Sequence, residues 1–279
     1  MSWPAFEIAI QAEINNLGGR YVWTDVALQG NYHIQRHVKN GSYRLLDGNR
    51  KRLLNATYVE CRAALDKLDP TFEHDHLVLL IHGLGRHAGI MDKPKHALRE
   101  AGFAAHSLNY ATLFEGVDEH ATHFTELLEN LKGIKRVSFV THSLGGLVAR
   151  EILSRATKWG DVTADRLVMM GTPNQGAEIA EFLNRMKTFK FITGQSGQDV
   201  RPTQKLANLP EPTIPTLVIA GGTGTNIGFN PLLKGDNDGI VTLNETRLTT
   251  NHQFKRVKVI HTTIMDHPQS IKAMLEFLI

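Results

Sequence analysis

From residue 76 onward the chain alternates short, predominantly apolar runs with stretches in which apolar residues return every three or four positions. The runs are Leu77-Val78-Leu79-Leu80-Ile81, Phe103-Ala104-Ala105-His106-Ser107-Leu108, Val137-Ser138-Phe139-Val140, Arg166-Leu167-Val168-Met169-Met170, Thr216-Leu217-Val218-Ile219-Ala220 and Arg256-Val257-Lys258-Val259-Ile260. Runs of this length without strict alternation predict strands buried on both faces, as in a parallel sheet. The intervening periodicity predicts helices over 93–101, 119–131 and 144–156, and a closing helix over 271–278. Strands alternating with helices predict an α/β architecture of three layers, a mostly parallel central sheet with helices on both faces.

The first 75 residues break this rhythm. Phe6 to Leu17 predicts a helix ended by Gly18-Gly19. His33 to Val38 and Tyr43 to Leu46 flank Asn40-Gly41, a hairpin signal. Asn55 is placed to cap a helix running through Leu68, with Pro70 after it. Helix, hairpin and helix form an N-terminal extension, 1–75, packed on an α/β domain, 76–279; no Gly-, Ser- and Pro-rich linker separates the two. Within the larger unit, 177–215 is an insertion bearing Phe182, Leu183, Met186, Phe189, Phe191 and Ile192. It predicts an apolar cap over a site, against the plainer reading of a helix on the sheet edge.

Composition narrows the function classes. Of 279 residues 42% are hydrophobic and 21% charged, and no charge block is long, so disorder is excluded. A net charge of +3 is too small and scattered to point to nucleic acid; Arg50-Lys51-Arg52 reads as a solvated loop. Cys61 is the single cysteine, which excludes an internal disulfide and fits a reducing compartment. Met1 to Ile14 carries Glu7 and Glu13 without a basic region, unlike a signal peptide, and no apolar run is long enough to cross a bilayer. The expectation is a soluble cytoplasmic protein with no membrane span.

Candidate chemistry begins at Thr141-His142-Ser143-Leu144-Gly145-Gly146. A strand precedes this segment and a helix follows, so Ser143 sits at the apex of a sharp turn, exposed and strained. A serine hydroxyl is a weak nucleophile at neutral pH and needs a base and a site for the developing oxyanion. Thr141 stands where the usual pattern has glycine; the competing reading is a plain helix N-cap. Ile81-His82-Gly83-Leu84-Gly85 follows the first buried strand and can turn the Leu84 N–H toward the serine, beside the Leu144 N–H. His82 reads as a structural ring fixing that loop.

Further along lie Gly235-Asp236-Asn237-Asp238-Gly239-Ile240-Val241, after the fifth strand, and His261, at the end of the predicted sixth. Asp238 is preferred to Asp236 because the Gly239 turn can present its carboxylate. His261 is preferred to His252 and His267 because a buried strand delivers it. The Asp-Asn-Asp cluster lacks the remaining spacing of an EF-hand, so no metal is assigned. The loop Gly221-Gly222-Thr223-Gly224-Thr225 lacks the Lys-Ser or Lys-Thr of a phosphate loop and reads as a loop near the acid.

Taken together, HGLG at His82 to Gly85, HSLGG at His142 to Gly146, GTPNQG at Gly171 to Gly176, NDGIV at Asn237 to Val241 and HTTIM at His261 to Met265 resemble the lipase/esterase branch of the α/β-hydrolase superfamily. The resemblance covers about residues 76 to 279. It implies a carboxylic-ester hydrolase with Ser143, Asp238 and His261 as its triad, Leu84 and Leu144 as oxyanion donors, and no cofactor. Gly83, His142 and Pro173 are the candidate substrate-binding positions, for a small-molecule acyl ester; a structural turn is an equal reading of the Pro173 segment. A thioesterase, amidase or acyltransferase on the same residues, and a non-catalytic binding module on the same scaffold, remain open.

Overall fold

The computed structural model of the protein describes residues 20–178, 199–200 and 204–279. The helix expected over Phe6 to Leu17 and the apolar core of the expected cap, Phe182 to Ile192, lie outside the described residues.

Four antiparallel strands, β1 (Trp23–Gln29), β2 (Tyr32–His37), β3 (Tyr43–Leu46) and β4 (Arg52–Ala56), form a sheet in chain order. Helix α1 (Tyr58–Leu68) covers one of its faces, where Cys61 and Leu65 pack against Ala27, Ile34 and Leu45. The hairpin at Asn40-Gly41 is present; β1 and β4 around it were not expected. β1 was hidden because Asp25, in its middle, is fully buried and breaks the apolar signal. β4 is an edge strand whose side chains are largely exposed. Asn55 belongs to β4 and does not cap α1. Thr57 does: its Oγ1 accepts from Glu60 N at 3.3 Å, while Glu60 Oε2 accepts from Thr57 N at 2.9 Å.

The central sheet contains β5 (His76–Ile81), β6 (Ala104–Leu108), β7 (Arg136–His142), β9 (Val162–Met170), β10 (Thr216–Gly221) and β11 (Gln253–Val257). They lie in the order β6-β5-β7-β9-β10-β11 and are all parallel; the short β8 (Lys158–Trp159) pairs antiparallel with β9. Helices α2 (Asp92–Glu100), α3 (Val117–Glu129), α4 (Leu144–Arg155) and α5 (Pro268–Leu278) pack on it.

Alternate residues of each strand serve opposite faces, as the pleat requires. Leu77, Leu79 and Ile81 of β5 join Phe124 of α3 and Leu147 of α4 in one apolar layer. Val78 and Leu80 join Leu98 of α2 and Met274 of α5 in the other. Burial on both faces is why these strands read as continuous apolar runs. The last strand was expected at 256–260 but occupies Gln253–Val257. Gly221, the final residue of β10, is in register with Val257, so the chain beyond has no strand to pair with. His261 therefore opens a 3-10 turn (His261–Asp266) instead of ending a strand.

The order of strands reverses between β5 and β7, since β5 connects outward to β6 and the chain returns to β7 on its other side. In open α/β sheets the crevice outside such a reversal is where ligands bind. The four-stranded sheet is tied to this region through Asn109, just after β6. Asn109 N donates to Asp25 Oδ2 at 2.6 Å, and its Nδ2 donates to the carbonyls of Trp23 at 2.6 Å and Arg20 at 2.8 Å. Its Oδ1 accepts from Ala88 N at 3.0 Å.

Asn109→Ala leaves these backbone groups without their side-chain partner. The expected cost is about 2–4 kcal/mol, read as a lowered midpoint of urea denaturation. An unchanged midpoint contradicts the assigned role of this residue.

Candidate active site

The segment from β7 into α4 reverses direction at one residue. Ser143 has φ 53° and ψ −122°, a conformation that side chains rarely adopt and that costs of order 1–3 kcal/mol. Its N–H donates to the Met170 carbonyl at 2.9 Å, at the end of β9. Two glycines make room for the turn. A Cβ on Gly145 would lie 2.4 Å from the Ile81 carbonyl oxygen, and one on Gly146 would lie 2.1 Å from Thr172 Oγ1. Thr141, where glycine is the commoner residue, is accommodated because its Oγ1 donates to the Val168 carbonyl of β9 at 3.0 Å.

Three side chains distant in sequence meet here. His261 Nε2 lies 3.0 Å from Ser143 Oγ, and His261 Nδ1 lies 2.7 Å from Asp238 Oδ2. Asp238 is fully buried, and its other oxygen accepts from Ile240 N at 3.0 Å and Val241 N at 2.7 Å. The backbone ties the two loops together, with His261 N donating to the Asp238 carbonyl at 2.9 Å. Gly221 and Gly171 admit the pair: a Cβ on Gly221 would lie 2.7 Å from Asp238 Cβ, and one on Gly171 would lie 3.1 Å from His261 Nδ1.

The competing residues lie elsewhere. Asp236 is occupied by the Gly222 loop, accepting from Thr223 N at 2.7 Å and Gly224 N at 2.9 Å, with Arg256 Nη1 at 3.6 Å. His252 Nδ1 faces the Thr250 carbonyl at 2.7 Å, and His267 caps α5 by accepting from Gln269 N at 3.3 Å.

Of the remaining sequence-derived positions, Gly83 lies against the serine, and His142 and Leu144 flank it in the chain. A Cβ on Gly83 would lie 3.0 Å from Ser143 Cβ, so the loop after β5 abuts the nucleophile candidate; Leu84, next along, is half-buried. Leu144 is the first residue of α4, where a helix N–H has no intrahelical acceptor. Pro173 is buried, and its carbonyl accepts from Gly176 N at 2.9 Å. His142 is buried too. Its Nε2 donates to the His261 carbonyl at 3.0 Å and its ring packs 4.9 Å from the His261 ring, so it braces the residue beside the serine. A histidine immediately before the serine gave no sign in the sequence that its contact would be the backbone of residue 261. Among the described residues, no group of three or more His, Cys, Asp or Glu is arranged to hold a metal ion.

The loop after β5 is braced from behind. His82 Nδ1 donates to the Gly83 carbonyl at 2.9 Å, and Tyr110 Oη donates to the His82 carbonyl. The His82 and Tyr110 rings lie 4.3 Å apart, and His120 meets Tyr110 edge-on at 4.7 Å.

The family described as a domain of unknown function (DUF7379) matches residues 53–219. The chain belongs to that family. No curated protein matches it. Solved structures do. The mature lipase BlEst2 of Bacillus licheniformis superposes with a TM-score of 0.59 at 17% identity, over 74% of this chain and 94% of that one. Phospholipase PlaB of Legionella pneumophila gives 0.58 at 16% identity, over 74% and 59%. The metagenomic carboxyl esterase MGS0156 gives 0.54 at 13% identity, over 74% and 77%. At these identities the likeness is one of fold: this DUF7379 member has the α/β-hydrolase fold, as solved lipases and esterases do. The family match ends at residue 219, before Asp238 and His261.

Burial sets the charge state of the bracing histidines. It pushes His82 down to about 3 and His120 down to about 4, and holds His142 well below its ordinary value, with the neighbouring His261 adding to the last shift. In the unfolded chain each takes up a proton near pH 6.5. Their contribution to stability is therefore complete above about pH 6.5 and is lost as pH falls toward the folded values. Each histidine accounts for up to about 1.4 kcal/mol per pH unit. Between pH 6.5 and 5, where unfolded carboxylates remain ionised, the urea midpoint falls steeply, and His82→Gln lessens the slope by about one proton. A midpoint independent of pH over this interval contradicts neutral burial.

Proposed function

We propose that the protein is a serine hydrolase that cleaves small-molecule carboxylic esters through an acyl-enzyme on Ser143. The observation that carries this reading is one imidazole placed between a hydroxyl and a buried carboxylate, 3.0 Å from Ser143 Oγ and 2.7 Å from Asp238 Oδ2. A carboxylate accepts, so Nδ1 of His261 carries the ring proton and Nε2 presents a lone pair to Ser143. His261 Nε2 takes the hydroxyl proton as Oγ attacks the ester carbonyl, and later returns it to the leaving alkoxide. Water then enters by the same route to release the acid. Asp238 keeps the ring in this tautomer and stabilises its protonated form; two backbone N–H bonds hold the carboxylate still.

The oxyanion of the tetrahedral intermediate is received by the Leu84 and Leu144 N–H groups. Leu144 stands at the N-terminus of α4, where the peptide dipoles add positive potential. The loop at Gly83 makes the first donor available because no side chain there blocks the serine. His142 and Pro173 close the floor of the substrate site. In this reading 76–279 carries the catalytic domain, with 20–75 packed on it. The fold shared with a lipase and a carboxyl esterase is consistent with ester chemistry.

Ser143→Ala is expected to lower hydrolysis of p-nitrophenyl esters by about 10⁴-fold or more. Asp238→Asn, which favours the wrong tautomer, is expected to cost about 10⁴-fold with little change in fold. Undiminished turnover in Ser143→Ala refutes the proposal.

A further inference from the structure

A second site lies on the far side of the Asn109 junction. Between the four-stranded sheet and the α2 edge of the central sheet is a polar cavity of about 630 Å³, within the range of small-molecule sites. None of Ser143, Asp238 and His261 lines it. Arg20, Arg44, Arg50, Lys95 and Arg99 line it against two carboxylates, Asp25 and Asp92. Five cations against two anions leave three in excess, as large as the net charge of the whole chain.

Both carboxylates are already engaged. Asp92 Oδ1 accepts from Arg50 Nη2 at 3.2 Å and Lys95 Nζ at 2.6 Å; Asp25 accepts from Asn109 N at 2.6 Å and faces His33 Nδ1 at 3.2 Å. Among the described residues Arg20 and Arg99 form no ion pair within 4.0 Å, and Arg44 feels the Asp25 charge only at longer range. Arg44 is held by Gln35 Oε1, at 2.9 and 2.7 Å, and lies over the Trp23 ring. Arg99 donates only through Nε, to the Ala105 carbonyl at 3.0 Å, which leaves both terminal amino groups uncommitted among the described residues. Burial pushes the Arg44 guanidinium down to about 10 and the Lys95 ammonium below its ordinary value, so both cations are poorly hydrated.

Guanidinium forks and an ammonium gathered around one cavity match the several oxygens of a phosphate.

We propose that this cavity binds a phosphate-bearing small organic anion, at a site distinct from the serine. The volume exceeds what one phosphate fills and leaves room for the organic portion. Arg20 and the two terminal amino groups of Arg99 receive the phosphate oxygens, with the Arg44 charge beside them.

Isothermal titration of the full chain with sodium pyrophosphate at constant ionic strength tests this. Saturable one-to-one binding is expected. It should weaken about tenfold or more in Arg99→Gln, measurably in Arg20→Gln, and not at all in Ser143→Ala. Circular dichroism confirms that each variant is folded, and Arg20→Gln, at an exposed position, keeps the test available if Arg99→Gln fails to fold. Absence of saturable heat overturns the proposal, as does equal binding by wild type and a folded Arg99→Gln. Loss of binding in Ser143→Ala would place the anion in the serine site. Binding to phosphatidylglycerol vesicles without binding to pyrophosphate would assign the cations to a membrane surface; both outcomes overturn the proposal.

Discussion

The arrangement depends on how closely α4 approaches the end of β5. A carbonyl oxygen occupies the place where a side chain on Gly145 would begin, and Thr172 occupies the corresponding place at Gly146. Only with both Cβ atoms absent can the helix start this tightly after β7, and only then is Ser143 forced to a positive φ. The strain is local, but the packing that enforces it is not. Ser143 N is anchored on β9, Gly145 abuts β5, and Thr141 is bonded to β9. The core of the sheet thus over-determines the conformation of one residue.

From that fixed point the other groups are positioned by loops at the same edge of the sheet. Asp238 and His261 belong to different connections yet share a backbone hydrogen bond, so they move as one unit. His142 couples the unit back to the elbow through the His261 carbonyl. The loop after β5 is held from beneath by Tyr110, whose neighbour Asn109 carries the four-stranded sheet. The N-terminal strands therefore brace the loop that faces the serine, through two consecutive residues after β6.

Much of the fold was legible in the sequence because burial on both faces of β5, β7, β9 and β10 leaves predominantly apolar residues in each run. Legibility failed where that condition fails. β1 contains a buried aspartate used for bonding across sheets, and β4 is an exposed edge, so neither carries the apolar signature. The end of β11 was misplaced because it is set by the length of its partner β10, not by the apolar residues Val257, Val259 and Ile260 themselves. Within the candidate site, the order of serine, acid and histidine along the chain was legible, but proximity was not. Asp238 was preferred to Asp236 from the Gly239 turn; that the Gly222 loop consumes the Asp236 carboxylate is a contact between segments that one-dimensional spacing does not encode. The basic cavity was hidden for the same reason: its cations come from separate segments, and Arg50, though part of Arg50-Lys51-Arg52, carries no sign of the others it meets.

The account rests on an activated hydroxyl at the strained turn. The most direct measurement is reaction of the folded protein with a fluorophosphonate, followed by mass spectrometry of its peptides. The account predicts a single phosphonylated residue, Ser143, formed in native protein and absent after unfolding in urea. No adduct on native protein, or an adduct at another residue with Ser143 unmodified, contradicts it.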